Sequence, residues 1–69
     1  MFYKWCIEKY ELKDSPSGDF AVDMKNDNNF PKEADTEQEL KTYLRSRRAC
    51  REALNVFKKL WKEYTNNQK

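Results

Sequence analysis

Three aspartates at four-residue intervals are the first residues in this chain whose spacing suggests chemistry. Asp19, Asp23 and Asp27 fall on one face of a predicted helix, where their carboxylates could bind a metal ion or exchange protons. A calcium loop, however, curls its ligands around a glycine, and residues 23–29 contain none. The pattern therefore favours a solvated acidic helix face over a metal or acid site.

The residue inventory argues against catalysis. The chain has no histidine, so it lacks the usual general base at neutral pH. Its one glycine, Gly18, is too few for a phosphate-binding loop. Without histidine or clustered cysteines there is no zinc site. We expect a protein that is not an enzyme and that uses neither a cofactor nor a metal.

Two cysteines, Cys6 and Cys50, lie 44 positions apart. A bridge between them is conceivable, but a secreted domain of this length usually carries several disulfides. Two reduced core thiols in a cytoplasmic protein are therefore the preferred interpretation. No apolar run approaches the roughly 18 residues of a membrane span. The first eleven residues are interrupted by Lys4 and Glu8 and lack the apolar stretch of a signal peptide.

Charge is distributed unevenly along the chain. Residues 1–39 contain five lysines and ten acidic residues, for a net charge of −5. Residues 40–69 contain nine basic residues and two acidic ones, for +7. The overall charge of +2 conceals this asymmetry. The C-terminal part of the chain is therefore where an anionic partner, if the protein has one, could bind.

On a helical wheel the positive charges of this part form a basic row beside the apolar stripe of the last helix. At 100° per residue, Arg47, Arg51, Lys58 and Lys62 fall within about 60°, over a length of roughly 22 Å. Arg48 and Lys59 lie next to them. The candidate partner-binding residues are thus Arg47, Arg48, Arg51, Lys58, Lys59 and Lys62.

Three interpretations of the basic row remain open. It is a solvated face that pairs with Glu52 and Glu63, or a contact surface for an unknown protein partner, or a sequence-nonspecific site for nucleic-acid phosphates. Between the two binding interpretations we favour the protein partner. The complementary charges of the two halves also suggest head-to-tail self-association, which builds rings or open filaments.

The elements that position these residues are all predicted to be helical. A first helix covers Phe2 to about Glu11, with Phe2, Cys6 and Tyr10 on one face. A second begins after Ser15, which caps it, with Pro16 in the first position. The free amides at this start could instead hold an anion, but the capping interpretation is preferred. The second helix ends near Asn28–Asn29, and Phe30 is expected to tuck into the core.

Thr36 and Glu39 have capping-box spacing and predict a third helix from about Glu37. Ser46 could cap a new helix, or the third helix could continue into the last one; we favour a break within residues 45–48. The last helix carries an apolar stripe at helical spacing over about 120° of arc, formed by Cys50, Ala53, Leu54, Phe57, Leu60, Trp61 and Tyr64. Residues 1–65 are therefore predicted to form one helical domain and residues 66–69 a frayed polar tail.

Taken in order, these motifs resemble the YozE family of small bacterial proteins over nearly the whole chain. The resemblance is carried by Phe2-Tyr3, Trp5, Ser15-Pro16-Ser17-Gly18-Asp19-Phe20-Ala21-Val22-Asp23, Asp27, Phe30-Pro31, Tyr43-Leu44, Ser46-Arg47, Ala49-Cys50, Glu52-Ala53-Leu54, Phe57, Trp61 and Tyr64. It implies an all-α, sterile alpha motif-like bundle of four helices with a long C-terminal helix. It also implies no enzyme activity, because none is assigned to the family. The last helix is more basic here than in the family pattern, so the basic row is not a feature that the resemblance explains.

Overall fold

The computed structural model describes residues 1–67 and contains four α-helices. They are α1 (Phe2–Tyr10), α2 (Pro16–Asn26), α3 (Glu37–Ser46) and α4 (Arg51–Asn67), and the described residues form no strand. The predicted all-α class and the long C-terminal helix are confirmed. α4 continues through residues 66 and 67, where a frayed tail was expected. Gln68 and Lys69, the rest of that predicted tail, lie outside the described residues.

Local capping explains where α2 and α3 begin. The Ser15 hydroxyl accepts a hydrogen bond from the Gly18 amide at 3.1 Å, and Pro16 follows at the first helical position. The Thr36 hydroxyl likewise accepts from the Glu39 amide at 3.2 Å. The reciprocal half of the capping box differs from the standard form, since the Glu39 carboxylate accepts from the Thr36 hydroxyl rather than from its backbone N–H. Both predicted helix starts are confirmed.

The core is rich in aromatic side chains and lies where α1, α2 and α4 meet. Phe2 is fully buried, with its ring centroid 5.6 Å from that of Phe57 and 5.4 Å from that of Trp61. α1 packs against α2 and α4, while α3 packs against α4. Phe30, in the loop before Pro31, is buried against this core as predicted. Burying each such side chain stabilises the fold by about 1.5–3 kcal/mol.

One cysteine lies elsewhere than the periodicity suggests. Cys6 is buried, but Cys50 is exposed, so the prediction of two core thiols is wrong for Cys50. Cys50 directly precedes α4 and therefore does not share the helical stripe that its spacing implied. Tyr3 is half-buried against Phe30, with ring centroids 5.6 Å apart.

The turn between α3 and α4 reverses the chain through a residue with positive φ. Arg48 has φ 58°, a conformation usually reserved for glycine. Its amide donates to the Arg45 carbonyl at 3.0 Å, and the Ala49 amide donates to the Leu44 carbonyl at 3.0 Å. These two bonds form a Schellman motif, which ends α3 and allows α4 to start in a new direction. The predicted break within residues 45–48 is confirmed.

Replacing Arg48 by glycine is expected to raise the free energy of unfolding by about 1 kcal/mol, because glycine adopts positive φ without a clash of its Cβ with the backbone. Arg48→Ala removes the same charge but keeps the Cβ, and is expected to change stability by less than about 0.5 kcal/mol. Urea unfolding followed by circular dichroism measures both. Equal gains in the two variants would attribute the effect to charge and contradict the backbone explanation.

Three tyrosine–carboxylate hydrogen bonds join elements that are distant in the chain. Tyr10 on α1 donates to Glu63 on α4 at 2.6 Å. Tyr64 on α4 donates to Asp35, in the loop before α3, at 2.7 Å. Tyr43 on α3 donates to Asp27 at the end of α2. Each bond places a polar group at the edge of the apolar core and fixes how two elements are oriented.

These bonds predict a loss of stability at alkaline pH. The hydrogen bond to Glu63, together with burial, raises the pKa of Tyr10 to about 12, and the bond to Asp35 does the same for Tyr64. Because the folded pKa values lie above the ordinary value near 10, this stabilisation is complete below about pH 10 and disappears as the pH rises towards 12. Phenolate absorbance and circular dichroism, recorded against pH, are expected to change together, and Tyr10→Phe should remove the share due to Tyr10. Tyrosines that all titrate near pH 10 with unchanged circular dichroism would contradict this.

Candidate partner-binding surface

The six candidate residues separate into two groups in the structure. Arg51, Lys58, Lys59 and Lys62 are exposed on α4. Arg47 caps the C-terminus of α3, and Arg48 occupies the turn that follows it. The prediction that these two arginines continue the row of the last helix is therefore wrong, because the Schellman motif separates them from α4.

Arg47 is already engaged within the protein. Its guanidinium lies 3.8 Å from the Asp27 carboxylate, which also accepts hydrogen bonds from the Tyr43 hydroxyl and from the Asn29 amide. The Tyr43 bond is the main cause that lowers the pKa of Asp27, with smaller contributions from the Asn29 amide and the Arg47 charge. Asp27 is thus the C-cap of α2 and helps to hold α2 against α3. The prediction that it belongs to a solvated acidic face is therefore wrong for this residue.

The remaining four cations form a continuous exposed surface, called here the α4 row (Arg51, Lys58, Lys59 and Lys62). At 100° per residue they fall within about 100° of arc, and from first to last they extend about 16 Å along the helix. The shortening from the expected 22 Å follows from the loss of Arg47. Asn55 and Asn66, both exposed, lie on the same arc. The face is therefore polar, and all of its charged side chains are positive.

The α4 row is not neutralised by neighbouring carboxylates. Within residues 1–67, no carboxylate lies within ion-pair distance of any of its four cations. The sequence suggested Glu63 as an ion-pair partner for the row. Its carboxylate instead forms an ion pair with Lys9 on α1 at 2.7 Å and accepts a hydrogen bond from the Tyr10 hydroxyl. The Lys9 bond is the main cause that lowers the pKa of Glu63, and the charge of Lys59 contributes least. The pairing of the row with Glu63 is thus replaced by a bond between α1 and α4.

The aromatic rings of α4 point away from the row. Phe57 and Tyr64 are buried, and Trp61 is half-buried against Phe2 and Tyr64 at centroid distances of 5.4 and 5.5 Å. Nucleic-acid surfaces that bind single strands combine cations with exposed rings on which bases stack. The α4 row has the cations without the rings.

A second surface lies on the other side of the N-terminal half of α4. An open groove between α2, the α3–α4 turn and α4, called here the α2–α4 groove, comprises two adjoining cavities of about 130 and 290 Å³. Its apolar floor is formed by Phe20, Met24, Phe30, Leu44, Ala49 and Ala53. Asp19, Asp23 and Glu52 line its walls, and Cys50 lies at both cavities.

No group of three or more potential ligand side chains in the described part of the chain is arranged to hold a metal ion. Within the same residues, none of the helices has the length and hydrophobicity needed to cross a membrane.

The architecture defines a sterile alpha motif-like helical bundle, and comparison with known proteins identifies the group. The family described as "YozE SAM-like fold" matches residues 1–66, and the chain belongs to that family. The chain is also similar to a UPF0346 protein of Enterococcus faecalis (strain ATCC 700802 / V583), with 33% identity over 69 residues that cover 99% of this chain and 94% of that protein. No solved structure matches the chain significantly.

Proposed function

We propose that this protein is a non-enzymatic interaction module whose α4 row binds an acidic surface of a protein partner. The observation that carries the proposal is that Arg51, Lys58, Lys59 and Lys62 are all exposed on one helix face, without an ion-pair partner among the described residues. Four solvated like charges held together on a rigid helix repel each other, and an acidic partner relieves that repulsion. Such a surface increases the rate and the specificity of association more than its strength.

The surroundings of the row support a protein partner over nucleic acid. Glu52 and the partly exposed Glu63 border the row on one side, so the wide, uniformly charged surface of a nucleic-acid duplex laid along α4 meets negative charge at this edge. A protein surface can place carboxylates opposite the cations and basic or neutral groups opposite this edge. The lack of an exposed ring on the face also removes base stacking as a source of affinity.

The binding test uses fluorescently labelled short polyglutamate as an acidic probe. We expect binding at about 20 mM salt that weakens strongly at about 200 mM, because exposed charges are screened over a shorter distance. Lys58→Glu with Lys62→Glu should weaken binding by about tenfold or more, since each lost contact becomes a repulsion. The matched control, Lys4→Glu with Lys13→Glu, changes the net charge equally at exposed sites away from the row and should weaken binding only about twofold.

Equal weakening by both double variants would mean that net charge, rather than the α4 row, attracts the probe, and the proposal would fail. Duplex and single-stranded DNA are titrated in parallel at the same salt concentrations. DNA binding that is tighter than polyglutamate binding at both concentrations, and that is lost in the row variant, would assign the row to nucleic acid instead.

A further inference from the structure

The α2–α4 groove lies on a different face of the molecule from the α4 row and has the opposite charge. Asp19 and Asp23 are exposed on α2, and Glu52 is exposed at the start of α4. None of these three carboxylates forms an ion pair or accepts a hydrogen bond from a side chain within residues 1–67. The fourth acid at the groove, Asp27, is already paired with Arg47. Arg47 also lines the groove. The groove therefore combines an apolar floor with three unpaired carboxylates and one carboxylate–guanidinium pair.

We propose that the α4 row of a second copy of the chain occupies this groove. This inference rests on the proposed function of the row and names a partner for it. The complementarity is present in one molecule, with four unpaired cations on one surface and three unpaired carboxylates around the other. Arginine and lysine side chains suit the apolar floor as well as the acidic walls. Their aliphatic stems can lie over Phe20 and Ala53 while their charged ends reach Asp23 and Glu52.

The relative position of the two surfaces sets the geometry of assembly. On α4 the groove residues Glu52, Val56 and Ala53 are centred more than about 90° around the helix axis from the row. A contact between the row of one copy and the groove of the next leaves one free row and one free groove at the ends. Such a head-to-tail contact propagates into rings or filaments instead of closing as a dimer. The small area of the groove makes each contact weak and strongly salt-dependent.

Two variants with one broken surface each provide the test. The row variant, Lys58→Glu with Lys62→Glu, keeps the groove intact. The groove variant, Asp19→Asn with Asp23→Lys, keeps the row intact, and Asn avoids a cation at the start of α2. The wild-type chain should form species larger than dimers in sedimentation velocity at about 1 mM protein and 20 mM salt, and should return to a monomer at about 300 mM salt. Each variant alone should remain a monomer, whereas an equimolar mixture should form a 1:1 heterodimer and stop there.

Cys50 reports whether the groove itself is the contact. Burial is the main cause that raises the pKa of the Cys6 thiol to about 12, so a small maleimide at neutral pH should modify only the exposed Cys50. The modification rate is expected to fall by about threefold or more when wild-type chain associates, and to stay constant with concentration in either single variant. The control variant Glu8→Lys with Glu33→Gln changes charge as the groove variant does, at exposed sites outside the groove, and should assemble like the wild type.

A wild-type chain that stays monomeric at low salt, or a mixture of the two variants that does not form a heterodimer, overturns the head-to-tail contact. So does assembly that proceeds without protection of Cys50. If polyglutamate still binds through the α4 row in that case, the proposed function stands without this partner. Loss of both results would remove the two proposals together.

Discussion

Replacing Phe2 by alanine is expected to leave the chain largely unfolded at room temperature. Phe2 is 0% exposed, and its ring contacts those of Phe57, Trp61 and Tyr64 at centroid distances of 5.4–5.6 Å. Truncation of a buried phenylalanine to alanine typically costs about 3–5 kcal/mol through lost burial and the cavity that remains. A core of this size rarely supplies more than about 3–5 kcal/mol in total. This one substitution is therefore expected to remove most or all of the free energy of unfolding.

Far-UV circular dichroism and urea unfolding measure this prediction. Phe2→Leu is the matched control, because it keeps an apolar side chain of similar volume, and it is expected to cost less than the alanine variant by about 2 kcal/mol. Val22→Ala, at a partly exposed position on α2, should change stability by less than about 1 kcal/mol. A Phe2→Ala chain that remains folded, with a loss below about 1 kcal/mol, would contradict a core centred on Phe2.

Gly18→Ala is expected to destabilise the protein by about 3 kcal/mol, although alanine is the better helix former. A Cβ atom on Gly18 would overlap with the carbonyl oxygen of Lys13, lie 2.8 Å from its carbonyl carbon and 3.0 Å from the carbonyl oxygen of Tyr10. All three are backbone atoms, so no side-chain rotation relieves the overlap. The intrinsic gain of alanine in a helix, about 1 kcal/mol, is smaller than the cost of moving α2 away from the end of α1.

The same unfolding experiment tests this second prediction. Asp23→Ala, further along α2 at an exposed position, serves as the control and should gain or lose less than about 0.5 kcal/mol. If Gly18→Ala were instead more stable than the wild type, α2 would not approach the end of α1 as closely as the structure has it, and the orientation of the two helices would need revision.

The sequence predicts those parts of the fold that depend on neighbouring residues. Ser15 with Pro16, and Thr36 with Glu39, mark helix starts because a cap and its amide lie three positions apart in the chain. The stripe of Phe57, Leu60 and Tyr64 predicts the buried face of α4 because helical spacing alone places these residues together. These elements hold in the structure, where all three side chains are buried.

The parts that the sequence did not predict depend on a non-glycine residue with positive φ and on contacts between distant elements. Arg48 gives no local signal that it will occupy a position usual for glycine, so Arg47 and Cys50 were assigned to the wrong helix face. The bond of Tyr10 to Glu63 joins residues 53 positions apart, and no local pattern relates them. Because α1 packs on α4, the Glu63 carboxylate contacts Tyr10 and Lys9 on α1 instead of pairing with the α4 row.

The same distinction decides which residues of the two surfaces could be predicted from the sequence. Four of the six predicted cations, Arg51, Lys58, Lys59 and Lys62, lie together on the exposed face of α4 because helical spacing within one continuous helix is sufficient to place them. The α2–α4 groove was not predicted, because its walls come from α2 and α4 and its floor from three helices and the two segments that connect them. Only the spacing of Asp19 and Asp23 indicated that one edge of α2 would be acidic.

Backbone amide chemical shifts of the ¹⁵N-labelled chain, recorded during titration with polyglutamate at low salt, test the central claim most directly. We expect the changes to centre on residues 51–62 and to be largest at the amides of Arg51, Lys58, Lys59 and Lys62. Screening the charges with salt should reverse these changes. Shifts spread evenly over all exposed lysines and arginines, or centred on α1 and α2 with α4 unaffected, would contradict the assignment of α4 as the binding surface.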